Sequence, residues 1–399
     1  MSNQSTTIVA DGKLKMCPDG LEHVEAYIPS DCIQNHASNL LVLDNGDLLC
    51  TWFGGTQEGI ADIHIYLSRL KKGQKEWSKA VKLSDDTARS EQNPILFRAP
   101  DNKLWLLYTA QKSGNQDTAI VRYRISEDEG YSWGPIETLF DQPGTFIRQP
   151  IVVLDNGDWL LPVFYCITPP GQKWTGNKDI SAVKISKDQG ESWEEYEVPN
   201  SLGCVHMNIE KLDDGTLLAL FRSRWADHIY SSRSTDYGET WSEPIPTQLP
   251  NNNSSIQFTK LNNGDLALVF NNMNADNCTE RRLSLYDEIE DEDEEDTDIL
   301  SANQDTPEKD DEGRQAFWGA PRAPMTVAIS EDGGRTWPYK KDIEIGDGYA
   351  MTNNSKEKLN REYSYPSIKQ SADGKIHIAF TYFRQAIKYV CVSEEFIKS

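Results

Sequence analysis

Six polar residues recur at one place in the rhythm of this chain. His36, Asn93, Arg148, His206, Ser255 and Tyr365 each lie nine or ten positions before a turn residue: Gly46, Asn102, Gly157, Gly215, Gly264 and Gly374. Isolated polar residues at strand starts are ordinarily edge solvation. A set that is polar throughout, with two His, an Arg and a Tyr, reads instead as a ligand site. Imidazole, with a pKa near 6.5, exchanges protons at neutral pH. A phenol, near 10, needs a base or positive surroundings before it can act as a nucleophile. His206 shares its sequence unit with Arg222, and these two are the first residues to mutate.

That unit, Cys204 to Pro244, is what the rest of the chain repeats. It holds an apolar strand, an Asp-Asp-Gly turn, a second strand ending in Arg222 and a third from Ile229 to Arg233, and it closes on the box Ser234–Trp241. Such a unit is one four-stranded antiparallel sheet. Similar turns fall at Leu43–Leu49, Pro100–Leu107, Leu154–Leu161, Leu261–Leu268 and Ser371–Ile378. Their Asn-Gly and Asp-Gly pairs tolerate the positive φ of a tight hairpin. The pattern SxDxGx[ST]W appears at Ser126–Trp133, Ser186–Trp193, Ser234–Trp241 and Ser330–Trp337, in degenerate form at Ser68–Trp77, and at Ser393 as the chain runs out.

Six turns and six box positions predict an all-β, six-bladed β-propeller with four-stranded blades and almost no helix. The step from Gly264 to Ser330 is far longer than the others and holds the acidic run Tyr286–Asp298. We read a single propeller over 23–399, an N-terminal extension over 1–22, and a disordered acidic insertion at about 275–315. The segment His23–Ser30 is expected to supply the outer strand that the last blade lacks. Box residues are read as a folding device: the Asp and Ser/Thr satisfy turn backbone groups and the Trp packs between strands.

Composition narrows the function. A formal net charge of −23 disfavours nucleic acid and anionic membranes as partners. Seven cysteines without CxxC spacing predict thiols in a reducing compartment, and neither they nor the six scattered histidines suggest a metal. The N-terminus lacks a signal-peptide pattern, and no apolar run approaches the roughly 18 residues of a membrane span. The expectation is a soluble cytoplasmic protein without a cofactor. Oligomeric state is left open.

The boxes, the turn-to-box rhythm and the strand contents resemble the sialidase (neuraminidase) superfamily, and the BNR-repeat sialidase-like proteins in particular, over about residues 30 to 395. The resemblance implies that Tyr365, in YPSIKQSADG, is the nucleophile. It implies that Arg222, and Arg322 in PRAPMTVAIS, bind a substrate carboxylate, for which a guanidinium pair offers bidentate charge-assisted bonds. It implies an acid/base carboxylate in the loop before the first box, where Glu58 and Asp62 are both available. Two positions depart from the family pattern. His36 stands where the first arginine of a triad is expected, and His206 stands where a glutamate would take the proton of the nucleophilic Tyr.

Three readings follow. The first is an exo-acting glycoside hydrolase on a terminal acidic mono- or oligosaccharide, with His206 as the proton acceptor. The second is a lyase that cleaves a uronate linkage by β-elimination, since Arg, His and Tyr are the residue types such chemistry needs. The third is a propeller that binds glycan or protein without turnover. Arg148 could replace the missing arginine. Arg224, Trp225, Asn93, Tyr363 and Asn253 are weaker substrate-binding candidates, and Arg361 and Arg384 are assigned to the surface.

Overall fold

The computed structural model describes residues 8–17, 23–276, 278, 313–350, 352 and 355–399. The acidic run Tyr286–Asp298 and most of the expected insertion lie outside the described residues. Six antiparallel sheets form a six-bladed propeller, and one short helix, Glu394–Lys398, is the sole helix among the described residues. Blade one runs from Gln34–Val42 outward to Val81–Lys82, and blade two from Ser90–Arg98 to Glu137–Phe140. Blade three is built around Trp159–Tyr165, blade four on Cys204–Lys211, blade five on Gln257–Lys260 and blade six on Tyr363–Gln370.

The expected closure is present. Val24–Tyr27 pairs antiparallel with Ala386–Val392, so the start of the chain completes the last blade. Lys15–Met16 adds a further short strand, and the segment before it is tied to blade one: Leu14 N donates to Lys75 O and Trp77 N donates to Gly12 O, each at 2.9 Å. A ring closed in this way leaves few free strand edges.

The turn residues behave as their types predict. Gly46, Asn102, Gly157, Gly215, Gly264 and Gly374 all have φ between 70° and 92°. The boxes are local clasps. Ser126 Oγ accepts from Gly130 N at 2.8 Å, and Asp128 accepts from Ser132 N at 2.8 Å and from its hydroxyl at 2.6 Å. The same pattern recurs at Asp188, Asp236 and Asp332. Ser393 is different: it caps the C-terminal helix by accepting from Phe396 N.

Side chains on the innermost strands tie blade to blade around the channel. Asn39 accepts from Leu96 N, Asn208 from Phe258 N and Gln257 from Ile368 N, while Ser367 Oγ accepts from Leu40 N. Each bond takes a backbone donor that strand pairing leaves unmet, and an unmet buried donor would cost about 1–3 kcal/mol. These staples hold the mouth of the channel in place.

Candidate active site at the channel mouth

One local device aims the site residues. In blades one, two, four and six, two residues of the inner strand oppose one residue of its neighbour: 37–38, 93–94, 206–207 and 365–366. These are β-bulges, which leave one residue unpaired and bend the strand. The first residue of each has positive φ: Ala37 59°, Asn93 50°, His206 54° and Tyr365 51°. That conformation disfavours an L side chain, and strain of this kind collects at functional sites. In blade one the bulge residue is Ala37, so His36 falls one position earlier than its counterparts.

Tyr365 lies at the centre. Arg222 Nη1 donates to its phenol oxygen at 2.6 Å and lies 3.4 Å from His206 Nε2. The guanidinium carbons of Arg148, Arg222 and Arg322 are 5.5, 5.6 and 5.7 Å from the centre of the phenol ring. Asn253 Oδ1 holds Arg222 Nε at 2.8 Å. His206 meets the phenol edge-on at 5.6 Å, and His36 packs against it at 4.3 Å.

The charges around this ring are uneven. Arg224 is held by Asp179 at 2.7 and 3.0 Å, and Arg384 by Glu58 at 2.5 Å and Glu362 at 2.9 Å. Burial opposes the charge on Arg384, but Glu362 and Glu58 more than offset it and raise its pKa above the ordinary value. Arg322 has only a long contact to Glu362, at 3.4 Å. Arg222 and Arg148 have no carboxylate partner among the described residues, and burial pushes each down to about 10, with Tyr365 working the other way. Burial, followed by the surrounding arginines, holds His36 and His206 well below the usual imidazole value, so both are neutral at pH 7.

The cavity is small. About 10 Å³ lies beside Glu58, Gln92, Asn93, His206, Arg222 and Tyr365, room for roughly one water. Phe146 and Phe164 give it an aromatic wall. Trp318 lies 5.6 Å from Trp174, donates to Thr175 O at 2.9 Å, and flanks the guanidiniums of Arg222 and Arg224. Asn93 Oδ1 and His206 Nδ1 have no hydrogen-bond partner among the described residues, as expected where a ligand or water completes the set. A larger cavity of about 450 Å³ lies elsewhere, beside Tyr165, Ile167, Glu195 and Pro199. No arginine lines it, whereas Arg222 and Arg224 line the smaller one, so the channel mouth is the candidate site.

The sequence of residues 46–378 matches the BNR repeat-like domain. The chain belongs to the BNR repeat-like domain family. No curated protein matches it. Among solved structures, this BNR repeat-like propeller is similar to a Hadza microbial sialidase, with 14% identity and a TM-score of 0.65, covering 91% of this chain and 66% of that one. It therefore spans just under two thirds of that sialidase. NanB sialidase from Streptococcus pneumoniae is 12% identical with a TM-score of 0.65, over 100% of this chain and 73% of that chain. The intramolecular trans-sialidase from Ruminococcus gnavus is 13% identical with a TM-score of 0.64, over 98% and 100% of the two chains. At these identities the likeness establishes the fold alone, a six-bladed propeller.

The BNR repeat-like propeller brings together most of the residues expected at its mouth and relocates several. Tyr365, Arg222, Arg322, His206, Asn93 and Glu58 converge. Asp62 does not line the cavity; its carboxylate accepts from Thr56 N at 3.3 Å and shapes the loop. His36 stands behind the phenol, with Nδ1 2.8 Å from Thr381 Oγ1. Arg148 is a strut below the ring, donating to the carbonyls of Ser38, Tyr365 and Pro366 at 3.0–3.2 Å, and so does not replace a carboxylate-binding arginine. Asn253 orients Arg222 and Arg224 pairs with Asp179, so both support the site.

Two candidates leave the site altogether. Trp225 packs on Gly203, where an added Cβ would come within 2.4 Å of the indole. Tyr363 is in the core between Tyr382 and Phe383, and its hydroxyl donates to Ile345 O at 3.2 Å. Arg361 is at the surface as expected, paired with Asp347. Arg384 is not: it is 1% exposed and belongs to the site. Glu362, Asp179, Trp174 and Trp318 escaped the sequence reading. The Glu362 carboxylate, three residues before Tyr365, carried the nearest available signal.

Proposed function

We propose that this protein is an exo-acting glycoside hydrolase for a terminal sugar that bears a carboxylate, with Tyr365 as nucleophile. One observation carries the reading: the buried Arg222 guanidinium donates to the Tyr365 phenol oxygen yet meets no carboxylate among the described residues. A substrate carboxylate at Arg222 and Arg322 would supply the missing counter-charge through charge-assisted hydrogen bonds. In a 2-keto sugar acid, such as a sialic acid, the carbon bearing the carboxylate is also the anomeric carbon. Anchoring one therefore presents the other to the phenol.

The step then needs few parts. The phenol oxygen bonds to the anomeric carbon as the glycosidic C–O bond breaks, and the neutral His206 accepts the phenol proton. The departing oxygen takes a proton from Glu58, which lines the cavity, with Glu362 remaining as the counter-charge of Arg384, and water later cleaves the tyrosyl link. Three guanidiniums around the ring stabilise negative charge on the phenol oxygen during the attack. A cavity of about 10 Å³ is closed to a sugar and must widen before one enters.

That closure favours a second reading, a propeller that binds without turnover. Nothing in the site favours β-elimination over hydrolysis, and the lyase reading is not carried further. The test is incubation of the purified protein with fluorogenic sialosides and uronides, alongside Tyr365→Phe. The hydrolase reading expects release by the parent protein and none by the variant. Absence of turnover with every sugar, together with equal glycan affinity in parent and variant, would establish the binding-only reading.

A further inference from the structure

At the seam where the ring closes, three residues that the sequence reading left scattered come together. Cys17, His23 and Glu25 place Sγ, an imidazole nitrogen and a carboxylate oxygen within 4.8 Å of one another. The short hairpin made by Lys15–Met16 and Val24–Tyr27 brings them there: Lys15 pairs with Glu25, and Cys17 N donates to His23 O at 2.9 Å. His23 and Glu25 are two apart along an extended segment and so face the same side. We propose that these three side chains form a zinc-class divalent metal site that staples the N-terminal hairpin, whose second strand completes the last blade.

The donor set suits that ion. Zinc takes thiolate, imidazole and carboxylate ligands tetrahedrally, and at zinc–nitrogen and zinc–oxygen bonds near 2.0–2.1 Å two such ligand atoms sit about 3.3 Å apart. His23 Nε2 and Glu25 Oε1 are already 3.2 Å apart. With a zinc–sulfur bond of about 2.3 Å, Sγ would sit about 3.6 Å from each of them, and it already lies within 4.8 Å; water or a second carboxylate takes the fourth place. His23 is 7% exposed and packs on Phe396 at 5.0 Å, so its ring is held rather than swinging in solvent.

The surrounding charge also balances. Lys388 Nζ contacts Glu25 at 2.8 Å and contacts Glu344, leaving one excess negative charge among those three. Metal binding releases the Cys17 thiol proton to solvent, and the resulting thiolate makes that excess two, which a dication cancels. Because Val24–Tyr27 pairs with Ala386–Val392, a metal there would hold in shape the hairpin that closes the ring. This proposal is independent of what the channel mouth binds.

Cobalt(II) titration of the full, chelator-stripped chain tests it. The expected result is a thiolate-to-cobalt charge-transfer band in the near ultraviolet that saturates at one equivalent and is displaced by zinc. It is lost in Cys17→Ser and kept in Cys32→Ser, which serves as control. Zinc should also raise the Tm of the parent protein, and chelator should reverse the rise. Absence of the band in the parent, or its persistence in Cys17→Ser, would overturn the site whatever the variants do to folding.

Discussion

The Tyr365 phenol oxygen and Arg222 Nη1 lie 2.6 Å apart, although 143 residues separate them in the chain. The same Nη1 is 3.4 Å from His206 Nε2, so a single guanidinium nitrogen contacts both phenol and imidazole. The two rings also meet edge to face, with centroids 5.6 Å apart.

If Tyr365 is the nucleophile, Tyr365→Phe should lower kcat by on the order of 10³-fold or more while leaving substrate affinity within a few-fold. Arg222→Lys keeps the charge but loses the fork that reaches phenol, Asn253 and substrate together, and should raise KM as well as lower kcat. Steady-state kinetics on both variants separates these effects. A Tyr365→Phe protein with parental kcat would remove the nucleophile from the scheme.

Glu58 and Asp62 give contrasting expectations. Glu58→Gln should remove the proton donor, at a cost of about 10²–10⁴-fold in kcat for a poor leaving group and much less for an activated aryl leaving group. Asp62→Asn should cost little, because its carboxylate serves a loop amide. Comparing the two leaving groups on each variant decides between the carboxylates.

Arg384→Ala leaves Glu58 and Glu362 as buried carboxylates stripped of their principal partner. Breaking a buried ion pair from one side destabilises by about 3–5 kcal/mol. Urea unfolding of the variant should show a loss of that order, whereas Arg361→Ala, at an exposed pair with Asp347, should change stability by less than about 1 kcal/mol. Equal losses at the two positions would contradict the burial of Arg384.

Acid should destabilise the fold through its histidines. His36 and His206 stay neutral in the folded protein because burial and nearby guanidiniums oppose their charging, and burial holds His377 down to about 4. The unfolded chain, with imidazoles near 6.5, takes up these protons first, so stability falls as pH drops below about 6.5. Urea midpoints from pH 8 to 5 should trace that fall, and His377→Gln should flatten it. A midpoint independent of pH over this range would count against the buried, neutral state.

Trp318→Ala should remove the indole that flanks the guanidiniums of Arg222 and Arg224 beside the mouth. With Trp174 left alone above Arg224, entry of a sugar should become faster and escape faster still. The expected signature in stopped-flow binding is a rise in both rate constants, with koff gaining more. Unchanged rates would mean that some other segment limits entry.

Much of this architecture was legible in the sequence because hairpin turns and boxes are local chemistry. Gly46, Gly157 and Gly215 announce their backbone by residue type, and Ser126 or Asp188 bond within four residues of themselves. The bulge positions were legible as well, as polar residues counted back from those turns. The count slipped in blade one, where Ala37 occupies the bulge. Tyr363 misled for a related reason. Alternation puts it on the same side as Tyr365, but the positive φ at Tyr365 turns that side chain out of the pattern and leaves Tyr363 in the core. Arg384 and Glu362 sit outside the repeat's phase, at a tight turn and before a strand, so their partners were visible only in three dimensions.

Closure of the circle by Val24–Tyr27 and Ala386–Val392 has a consequence for biosynthesis. Tyr365 belongs to the sheet those two segments share, and His36 opens the adjacent one. A ribosome must therefore have made Ala386–Val392 before that segment can meet Val24–Tyr27. Until the two pair, the ring stays open between the sheets that carry His36 and Tyr365, however well the middle sheets have folded.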